Sequence, residues 1–400
     1  MIQTKSEGRN QKSEVRSASH FALCTLQFAL CIAVLAIAGC GTNPVVWKQV
    51  IDAGAPVEPA ALAMTADGLV AVGTKTTSAK TAWLIQTLDK DGKLRWRRDY
   101  SQGEASVCSD VCTDATGDMF VCGTCKIKGS EMCVVVKYRP NGAVAWQKAL
   151  SVGDASRARG IALSDSFIVV SGSVMDKQEQ ELLVAKLGPD GRTVWSKNFN
   201  FGPLDEGTRV AANAAGDLVV IGRAGTAENP DILLMRLNAK GDSVWTRRYD
   251  SGGEDEPGDV GFDVFGNVVA TGTGRAGDSL RCVIIEYQPD GALIRKTAYG
   301  AQAQAAGKGL FLTPDGDIFV CATSRGLKQT EILAFQYKPN ATAIWERTLS
   351  QANADLTASD VVCDKDVFVL GMVAPKAGQK NMLVARFARP VAPAPALPQR

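Results

Sequence analysis

Histidine is almost absent from this sequence, because His20 is the only one in 400 residues. His20 also precedes a predicted cleavage site, so the mature chain would contain none. A Ser-His-Asp or Cys-His catalytic pair is therefore excluded, and the commonest transition-metal ligand is missing. Tyrosine offers no substitute, since all six tyrosines occupy positions that recur in the repeats described below. These absences favour a protein that is not an enzyme.

An excess of charge of either sign is lacking as well. The chain has 44 basic and 42 acidic residues, and removal of residues 1–39 would leave 40 of each. A protein that binds nucleic acid needs a basic face to neutralise phosphates. The neutral mature chain therefore predicts no nucleic-acid partner.

Only one long apolar run occurs, from Phe21 to Ala38, and it follows a segment with four basic residues. This arrangement is typical of a secretory signal. The run ends in Ile37-Ala38-Gly39-Cys40, which resembles the bacterial lipobox. The resemblance implies a signal peptide over residues 1–39, cleavage before Cys40 and acylation of its thiol. The alternative is an uncleaved membrane helix, since the 18 mostly apolar residues nearly span a bilayer.

The residue after Cys40 bears on location. It is Gly41, and resemblance to Gram-negative lipoproteins implies the outer membrane where this residue is not Asp. We therefore predict an exported protein, lipid-anchored at the outer membrane and facing the periplasm or the cell surface. Residues 40–43 would be the lipidated N-terminus and a short linker.

A tryptophan position returns at a nearly constant interval through the rest of the chain. It is occupied by Trp47, Trp96, Trp146, Trp195, Trp245, Arg295 and Trp345. Between these positions, short runs of alternating apolar residues are joined by Asp-Gly or Asn-Gly turns, which are hairpin signals. The pattern predicts seven units of four strands each, so that a single domain occupies residues 44–387.

The last unit stops after its third strand, at Phe387, and a Pro/Ala-rich tail of residues 388–400 follows. A single strand around Trp47 precedes the first complete unit. That strand supplies the missing fourth one, so we predict an all-β, seven-bladed β-propeller closed by pairing the N-terminal strand with the last blade. The tail is predicted to be disordered. Cations two residues after the tryptophan position predict protected outer edges, namely Arg98, Lys148, Lys197, Arg247 and Arg347.

The units resemble the SBBP-type bacterial β-propeller repeat. The resemblance is carried by segments such as residues 137–146 (KYRPNGAVAW) and 263–272 (DVFGNVVATG), and it covers nearly all of residues 44–387. It implies the propeller fold and a secreted or surface location. It implies no common chemistry.

Acidic residues recur in the loops that follow the tryptophan position. They are Glu104, Asp154, Asp205, Glu254, Asp255 and Asp355. In a propeller such loops gather on one face, where several carboxylates could together bind Ca²⁺ or a basic ligand. The alternative is local turn capping or pairing, with Arg157 near Asp154 and Arg209 near Asp205. This ring is the candidate cation or ligand site, and we predict no other metal or cofactor.

Cysteine is concentrated in the second unit, at Cys108, Cys112, Cys122, Cys125 and Cys133. A hairpin that turns at residues 115–118 would place Cys112 opposite Cys122 and Cys108 opposite Cys125. Because an exported protein can form disulfides, these two pairs are candidate disulfides. The alternative is that the thiols pack as small hydrophobic groups.

The predicted fold and cellular location do not identify a ligand. The sequence favours a membrane-anchored binding or scaffold module for a protein or a glycan. The alternatives are a hydrolase or lyase that acts in the channel and an outer-membrane assembly factor.

Overall fold

The computed structural model describes residues 45–389, apart from 177–178, 227, 277–278, 300–303, 327 and 339–341. These residues form 28 β-strands in seven four-stranded antiparallel sheets and include no helix. The predicted seven-bladed β-propeller is therefore confirmed. The predicted signal peptide, Cys40 and the tail from residue 390 lie outside the described residues.

Each blade has four strands, arranged in order from the channel outward. Blade 1 contains β2 (Val57–Thr65), β3 (Gly68–Thr76), β4 (Thr81–Asp89) and β5 (Leu94–Tyr100). Blade 2 contains β6 (Ala105–Thr113), β7 (Met119–Ile127), β8 (Ser130–Tyr138) and β9 (Val144–Leu150). Blade 3 contains β10 (Ala155–Ser164), β11 (Phe167–Asp176), β12 (Glu179–Leu187) and β13 (Thr193–Phe199). Blade 4 contains β14 (Glu206–Ala212), β15 (Leu218–Gly225), β16 (Pro230–Leu237) and β17 (Ser243–Tyr249).

The remaining blades follow the same order. Blade 5 contains β18 (Glu256–Phe262), β19 (Val268–Ala276), β20 (Ser279–Tyr287) and β21 (Leu293–Tyr299). Blade 6 contains β22 (Ala305–Leu312), β23 (Ile318–Arg325), β24 (Thr330–Lys338) and β25 (Thr342–Leu349). Blade 7 contains β26 (Ala354–Cys363), β27 (Asp366–Pro375), β28 (Asn381–Ala388) and, as its outer strand, β1 (Val45–Ile51).

The N-terminal strand closes the ring. Strand β1 pairs antiparallel with β28, with Val50 opposite Leu383 and Lys48 opposite Ala385. The chain therefore supplies one sheet from both of its ends, as the count of strands per unit predicted. Backbone groups that would form an open edge on β28 are paired by this contact.

The hydrophobic core lies in layers between neighbouring blades. The two middle strands of a blade are covered on both faces, which explains why they are nearly continuous apolar runs such as Leu69 to Val72. Between blades 1 and 2, for example, the fully buried Trp83 packs in one cluster with Val121 and Cys125.

Most of the repeated tryptophans lie over the next blade. Trp96 of blade 1 covers the turn at Gly142 of blade 2, where an added Cβ would lie 3.0 Å from the indole ring. Its Nε1 donates a hydrogen bond to the carbonyl oxygen of Pro140 at 2.9 Å. Equivalent ring contacts join four other pairs, Trp47 with Gly92, Trp146 with Gly191, Trp195 with Gly241 and Trp245 with Gly291. We call these contacts the tryptophan seams.

The outer cations also have a partner within their own blade. Four of these cations place their charged end near the ring of the tryptophan two residues earlier. The distance to the ring centroid is 5.8 Å for Arg98, 5.8 Å for Lys197, 5.7 Å for Arg247 and 5.2 Å for Arg347. Cations in this range are attracted to the ring face. The outer edge therefore carries stacked charges, in keeping with the predicted protection of that edge.

Candidate functional site at the channel mouth

Every inner strand carries a bulge at the same place. The pairing between the first and second strands of each blade shifts by one residue. The extra residues are Ala60, Ser109, Arg159, Thr208, Gly258, Lys308 and Ser359. A bulge turns the local backbone and re-aims the neighbouring side chains. It therefore determines which side chains meet at the channel.

The position directly after the bulge alternates between aspartate and a small residue. Around the ring it is occupied by Ala61, Asp110, Gly160, Arg209, Asp259, Gly309 and Asp360. Each aspartate is followed, in the next blade, by one of the small residues. The small residues leave room for neighbouring backbone, since a Cβ at Gly309 would lie 2.8 Å from the Cα of Asp360.

Each of these aspartates joins two blades through backbone hydrogen bonds. Asp110 accepts from the amides of Val111 at 2.8 Å and Ile161 of blade 3 at 2.9 Å. Asp259 accepts from Val260 at 2.8 Å and Leu310 of blade 6 at 3.1 Å. Asp360 accepts from Val361 at 2.7 Å and Leu62 of blade 1 at 2.8 Å. The last contact closes the ring on the inside, as β1 closes it on the outside.

Arg209 is the seventh member of this position and reaches across the channel. Its Nη1 donates to the carbonyl oxygens of Arg159 and Thr208 at 3.2 and 3.1 Å, and its Nη2 donates to Ala60 of blade 1 at 3.3 Å. Its Nε lies 4.0 Å from Asp110 Oδ2. The guanidinium therefore ties together three blades beside the aspartates. We call Arg209, Asp110, Asp259 and Asp360 the channel cluster.

The electrostatics of the channel cluster follow from burial and from an excess of carboxylates. Burial lowers the pKa of Arg209, but Asp110, Asp259 and Asp360 outweigh it and raise that pKa above its ordinary value. Burial raises the pKa of Asp110, and Arg209 opposes this rise. Burial also raises the pKa of Asp259 to about 6. For Asp360, burial and then the charge of Asp259 raise the pKa to about 8.

A polar pocket opens above the channel cluster. It has a volume of about 360 Å³ and is lined by Pro59, Ala60, Cys108, Ser109, Arg159, Arg209, Lys308, Ala358 and Ser359. We call this pocket the channel mouth. Its lining comes from blades 1, 2, 3, 4, 6 and 7, so it exists only because the ring is closed.

Two cations at the mouth are partly exposed and only partly engaged. Arg159 Nε lies 2.8 Å from Glu206 Oε1, and Lys308 Nζ lies 2.9 Å from Glu256 Oε2. Within the described residues, the two Nη atoms of Arg159 make no hydrogen bond. A guanidinium with both Nη atoms available can bind a carboxylate or a sulfate with two parallel hydrogen bonds. The mouth can therefore hold an anionic group.

In the structure, several carboxylates of the predicted acidic ring accept separate hydrogen bonds from backbone amides. Asp205 is buried and accepts from the amides of Phe201 and Gly202. Asp255 is buried and bonds to the amide and hydroxyl of Ser251.

The other members of the predicted ring are exposed. Glu104 accepts from the amide of Gly129, and Asp355 accepts from the amide of Thr330. Asp154 and Glu254 are exposed loop residues. The contacts of Asp205 and Asp255 are the local turn capping of the alternative interpretation, whereas Glu104 and Asp355 each bind an amide 25 residues away in the chain. Coordination of Ca²⁺ by the ring stays a prediction.

Both of the arginine partners proposed for this ring are wrong. Arg157 pairs with Glu131 of the neighbouring blade rather than with Asp154. Arg209 lies at the channel cluster rather than beside Asp205, because the bulge carries its side chain toward the axis. Short distance in the sequence was a poor guide to these pairs, since each arginine lies three or four residues further along, on the inner strand that begins directly after the acidic residue.

One group of acidic side chains among the described residues is close enough to share an ion. It consists of Asp231, Asp250 and Asp255, whose oxygens lie within 4.8 Å of one another. Only Asp255 belongs to the predicted ring. Arg248 lies 3.4 Å from Asp231 and supplies part of the balancing charge.

The cysteine geometry expected from the hairpin is also wrong. The turn between β6 and β7 places Cys112 opposite Phe120, and the bulge at Ser109 shifts Cys108 by one further residue, so that it lies opposite Gly123. Each predicted pair is therefore offset by two residues, and such diagonal neighbours lie about 7–8 Å apart, beyond the roughly 4.4–6.8 Å between the Cα atoms of a disulfide. All eight cysteines of the described residues are free, and seven of them are buried. In the structure they pack as small hydrophobic groups.

The channel cluster was not predicted from the sequence. The signal that could have revealed it is the appearance of a charged residue at the same repeat position in four units, namely Asp110, Arg209, Asp259 and Asp360. Among the described residues there is no helix long and apolar enough to cross a membrane.

Comparison with known proteins places the fold and leaves the chemistry open. No family model matches the chain. No curated protein matches it either. Solved structures do match, among them a PL25 ulvan lyase with a TM-score of 0.59 and 10% identity, over 85% of this chain and 96% of the lyase.

Two further matches have similar coverage. A protein of unknown function from Dyadobacter fermentans has a TM-score of 0.52 and 13% identity, over 86% of this chain and 99% of that one. Chaetomium thermophilum Sqt1, bound to the N-terminus of a ribosomal protein, has a TM-score of 0.51 and 13% identity, over 85% and 98%. At these identities the matches show the β-propeller fold alone.

Proposed function

We propose that this protein is a recognition module that binds an acidic saccharide at the channel mouth, through Arg159 and Lys308. The observation that carries the proposal is the pair of partly exposed cations on blades 3 and 6, which flank a polar pocket of about 360 Å³. This volume lies at the small end of the range for ligand pockets. It suits one charged sugar unit or the end of a chain.

The lining of the mouth favours a saccharide over a peptide. Peptide recognition depends on aromatic or large aliphatic anchors that enter apolar pockets. The apolar part of the mouth consists of small side chains, namely Pro59, Ala60, Cys108 and Ala358. Ser359 and the two cations instead supply polar groups of the kind that bind hydroxyls and a carboxylate.

The hydrogen bonds already made by the polar groups near the channel mouth favour a binding function over a catalytic one. The channel aspartates each accept two backbone hydrogen bonds, which hold them in structural positions. The Ser109 hydroxyl donates to the carbonyl oxygen of Ala158 at 2.7 Å, so its proton is engaged there rather than with a general base. A nucleophile needs such a base within hydrogen-bond reach.

The structural similarity to a lyase agrees with this ligand class but does not carry the proposal. One solved structure of the PL25 ulvan lyase contains -[GlcA(1-4)Rha3S]-, an acidic glycan. The identity of 10% supports a shared fold only. The case for an acidic saccharide therefore depends on Arg159 and Lys308.

The proposal includes a lipid anchor at Cys40, which the lipobox-like sequence before it supports. The anchor would hold the module at a membrane surface, where it could retain a cell-envelope or extracellular glycan. Mass spectrometry of membrane-fraction protein tests it, because Cys40→Ala should abolish the acyl mass increment and release the chain. An unshifted mass for the unaltered chain would remove the anchor and leave the binding site untouched.

Isothermal titration with trigalacturonate, a trisaccharide of uronic acid, tests the binding site. We expect binding of the full-length chain in detergent, with at least a tenfold loss for the double variant Arg159→Gln/Lys308→Gln. Hydrogen bonds to charged groups contribute about 1.5–3 kcal/mol each, which accounts for a loss of that size. Neutral maltotriose should not bind measurably.

Arg157→Gln is the matched control for this titration. Arg157 lies on the same strand as Arg159 and is paired with Glu131. Its substitution removes one positive charge, as does each of the two substitutions in the double variant. Its affinity should stay within about twofold of the unaltered chain. Equal losses in both variants would mean that long-range charge, rather than the mouth, attracts the saccharide. Tight binding of an acidic peptide with no binding of trigalacturonate would contradict the proposed ligand class.

A further inference from the structure

Arg209 belongs to two groups of side chains at once. It lines the channel mouth, and its Nε lies 4.0 Å from Asp110 in the channel cluster. Its side chain retains 23% exposure, so it contributes to the surface that a ligand would meet. A change of charge in the cluster therefore alters the electrostatic potential at the mouth.

The cluster has more acids than bases. When Asp110, Asp259 and Asp360 are all ionised, three negative charges face the single positive charge of Arg209. Charges in a partly buried site are poorly screened, so their excess acts over the short distance to the mouth. An anionic ligand is repelled by the fully ionised cluster and less so by a cluster that has taken up protons.

Two members of the cluster titrate in an accessible range. Asp259 and Asp360 are partly exposed, so both can exchange protons with solvent. Burial raises the pKa of Asp259 to about 6, and burial together with the charge of Asp259 raises that of Asp360 to about 8. The pair therefore takes up protons as the pH falls from 8.5 to 5.5.

The other titratable and charged groups that face the pair come from several inner strands. Asp360 is faced by Asp259 from β18, Arg209 from β14, Asp110 from β6 and the Cys321 thiol from β23. Burial, followed by the charge of Asp360, raises the pKa of Cys321 well above its ordinary value, so the thiol stays neutral. At the mouth, Lys308 lowers the pKa of Glu256, which stays ionised. Histidine, the usual switch in this range, is absent after His20.

We infer that the channel mouth is a proton-linked site, at which an anionic ligand binds more tightly when the carboxyls of Asp259 and Asp360 are protonated. Proton and anion then stabilise each other's binding, because linkage between two sites is reciprocal. This inference depends on the proposed function, since it concerns the affinity of the same mouth.

Titration of the full-length chain with trigalacturonate at pH 5.5 and 8.5, at constant ionic strength, tests the inference. The sugar carboxylates stay ionised at both values, because ordinary carboxyl groups have a pKa near 4. We expect about tenfold tighter binding at pH 5.5, which corresponds to about 1.4 kcal/mol. Titration at pH 7.5 in two buffers of different ionisation enthalpy should also show net proton uptake on binding.

The variant Asp259→Asn/Asp360→Asn keeps the side-chain shape and removes both titrating groups. Its affinity should be nearly independent of pH and close to that of the unaltered chain at pH 5.5. Asp242→Asn, an aspartate paired with Lys197 on the outer wall, should leave the pH dependence unchanged.

The two proposals fail in different ways. Binding of equal strength at both pH values without proton uptake, in the unaltered chain, would overturn the inference and leave the proposed function standing. No binding at either pH would overturn both. Because the decisive comparison uses the unaltered chain, poor folding of the double variant does not remove the test.

Discussion

The outer wall and the channel of this propeller differ in how regularly their residues repeat from blade to blade. Along the outer wall the same contact is repeated, with a tryptophan over the turn glycine of the next blade in five of the blade pairs. In the channel no two neighbouring positions are alike, and the slot after the bulge holds three aspartates, three small residues and one arginine. Repetition is sufficient where each blade needs the same partner. The channel shows that residues with individual roles are placed where all blades meet.

One seam on the outer wall departs from the repeat, and it sharpens this contrast. In blade 5 the tryptophan position holds Arg295, and its neighbour on the third strand is Glu286. The other blades place Thr87, Lys137, Lys186, Arg236, Gln336 or Arg386 opposite their tryptophan. Arg295 Nε lies 3.0 Å from Glu286 Oε1. In the sequence the turn glycine of the next blade is replaced by Ala341 as well.

Removal of a buried seam tryptophan should have the largest effect on stability. Trp245 is 6% exposed, packs 5.6 Å from the ring of Tyr287 and donates to Pro289 at 3.1 Å. Trp245→Ala should lower the free energy of unfolding by about 3–5 kcal/mol, measured by urea denaturation. Trp195 is more exposed, so Trp195→Ala should cost about half as much. Equal losses would mean that the seam does not depend on burial.

Removal of the channel arginine should follow closely in size. Arg209→Leu leaves three carboxylates without their guanidinium, and breaking a buried ion pair in this way costs about 3–5 kcal/mol. We expect a value near the lower limit at pH 8, because carboxyls can take up protons in response. The same denaturation at pH 5 should show a smaller loss. A loss under about 1 kcal/mol at pH 8 would show that the cluster does not hold the blades together.

Replacement of Arg295 by the usual tryptophan should lower the free energy of unfolding moderately. A second substitution, at Glu286, should restore most of the loss. Arg295→Trp leaves the side chain of Glu286, which is only 6% exposed, without its cation. We expect a loss of about 2 kcal/mol, with most of it regained in Arg295→Trp/Glu286→Arg. A double-mutant cycle by urea denaturation measures the coupling. Additive effects would mean that the two positions act independently.

The pH dependence of stability belongs to the channel alone. The folded state raises the carboxyl pKa of Asp259 and Asp360, so above about pH 4 it binds more protons than the unfolded chain. Stability contributed by these groups is therefore present at low pH and is lost as pH rises toward 8, by up to about 1.4 kcal/mol per pH unit for each proton. The melting temperature should fall between pH 6 and 8.5, and Asp360→Asn should flatten this fall. Trp195→Ala should leave the slope unchanged.

The sequence was sufficient for the parts of the structure that depend on repetition. The interval between tryptophans predicted seven blades, and the truncated last unit predicted the pairing of β1 with β28. Both follow from counting, because every blade must supply four strands and the ring must have no open edge. Arg295 was visible as an exception, but its partner Glu286 was not.

The parts that failed depend on a local irregularity that the sequence pattern hides. The position of the turn places Cys112 opposite Phe120, and the bulge at Ser109 shifts Cys108 by one further residue, so both predicted cysteine pairs are offset by two residues. The same kind of bulge directs Arg209 toward the axis and away from Asp205. A one-residue shift leaves the alternation of apolar residues almost intact over a short strand. Hairpin arithmetic alone therefore could not locate it.

The channel cluster was beyond reach for a different reason. Its members come from blades 2, 4, 5 and 7 and are separated by 50 to 250 residues in the chain. Nothing local marks them as neighbours, since each is one of several polar residues in its own inner strand. They meet only because the ring closes and brings every inner strand to one axis.

The alternation of aspartate and small residue has a consequence for how the number of blades could change. A pattern with a period of two blades fits an even ring without interruption, whereas seven is odd, so one position must stand outside the pairs. Arg209 occupies that position and carries the only positive charge among the seven. Loss or duplication of a single blade would therefore change the parity of the ring as well as its diameter. We expect such blade-number variants to tolerate a neutral residue at the arginine position, because an even ring has no unpaired place to fill.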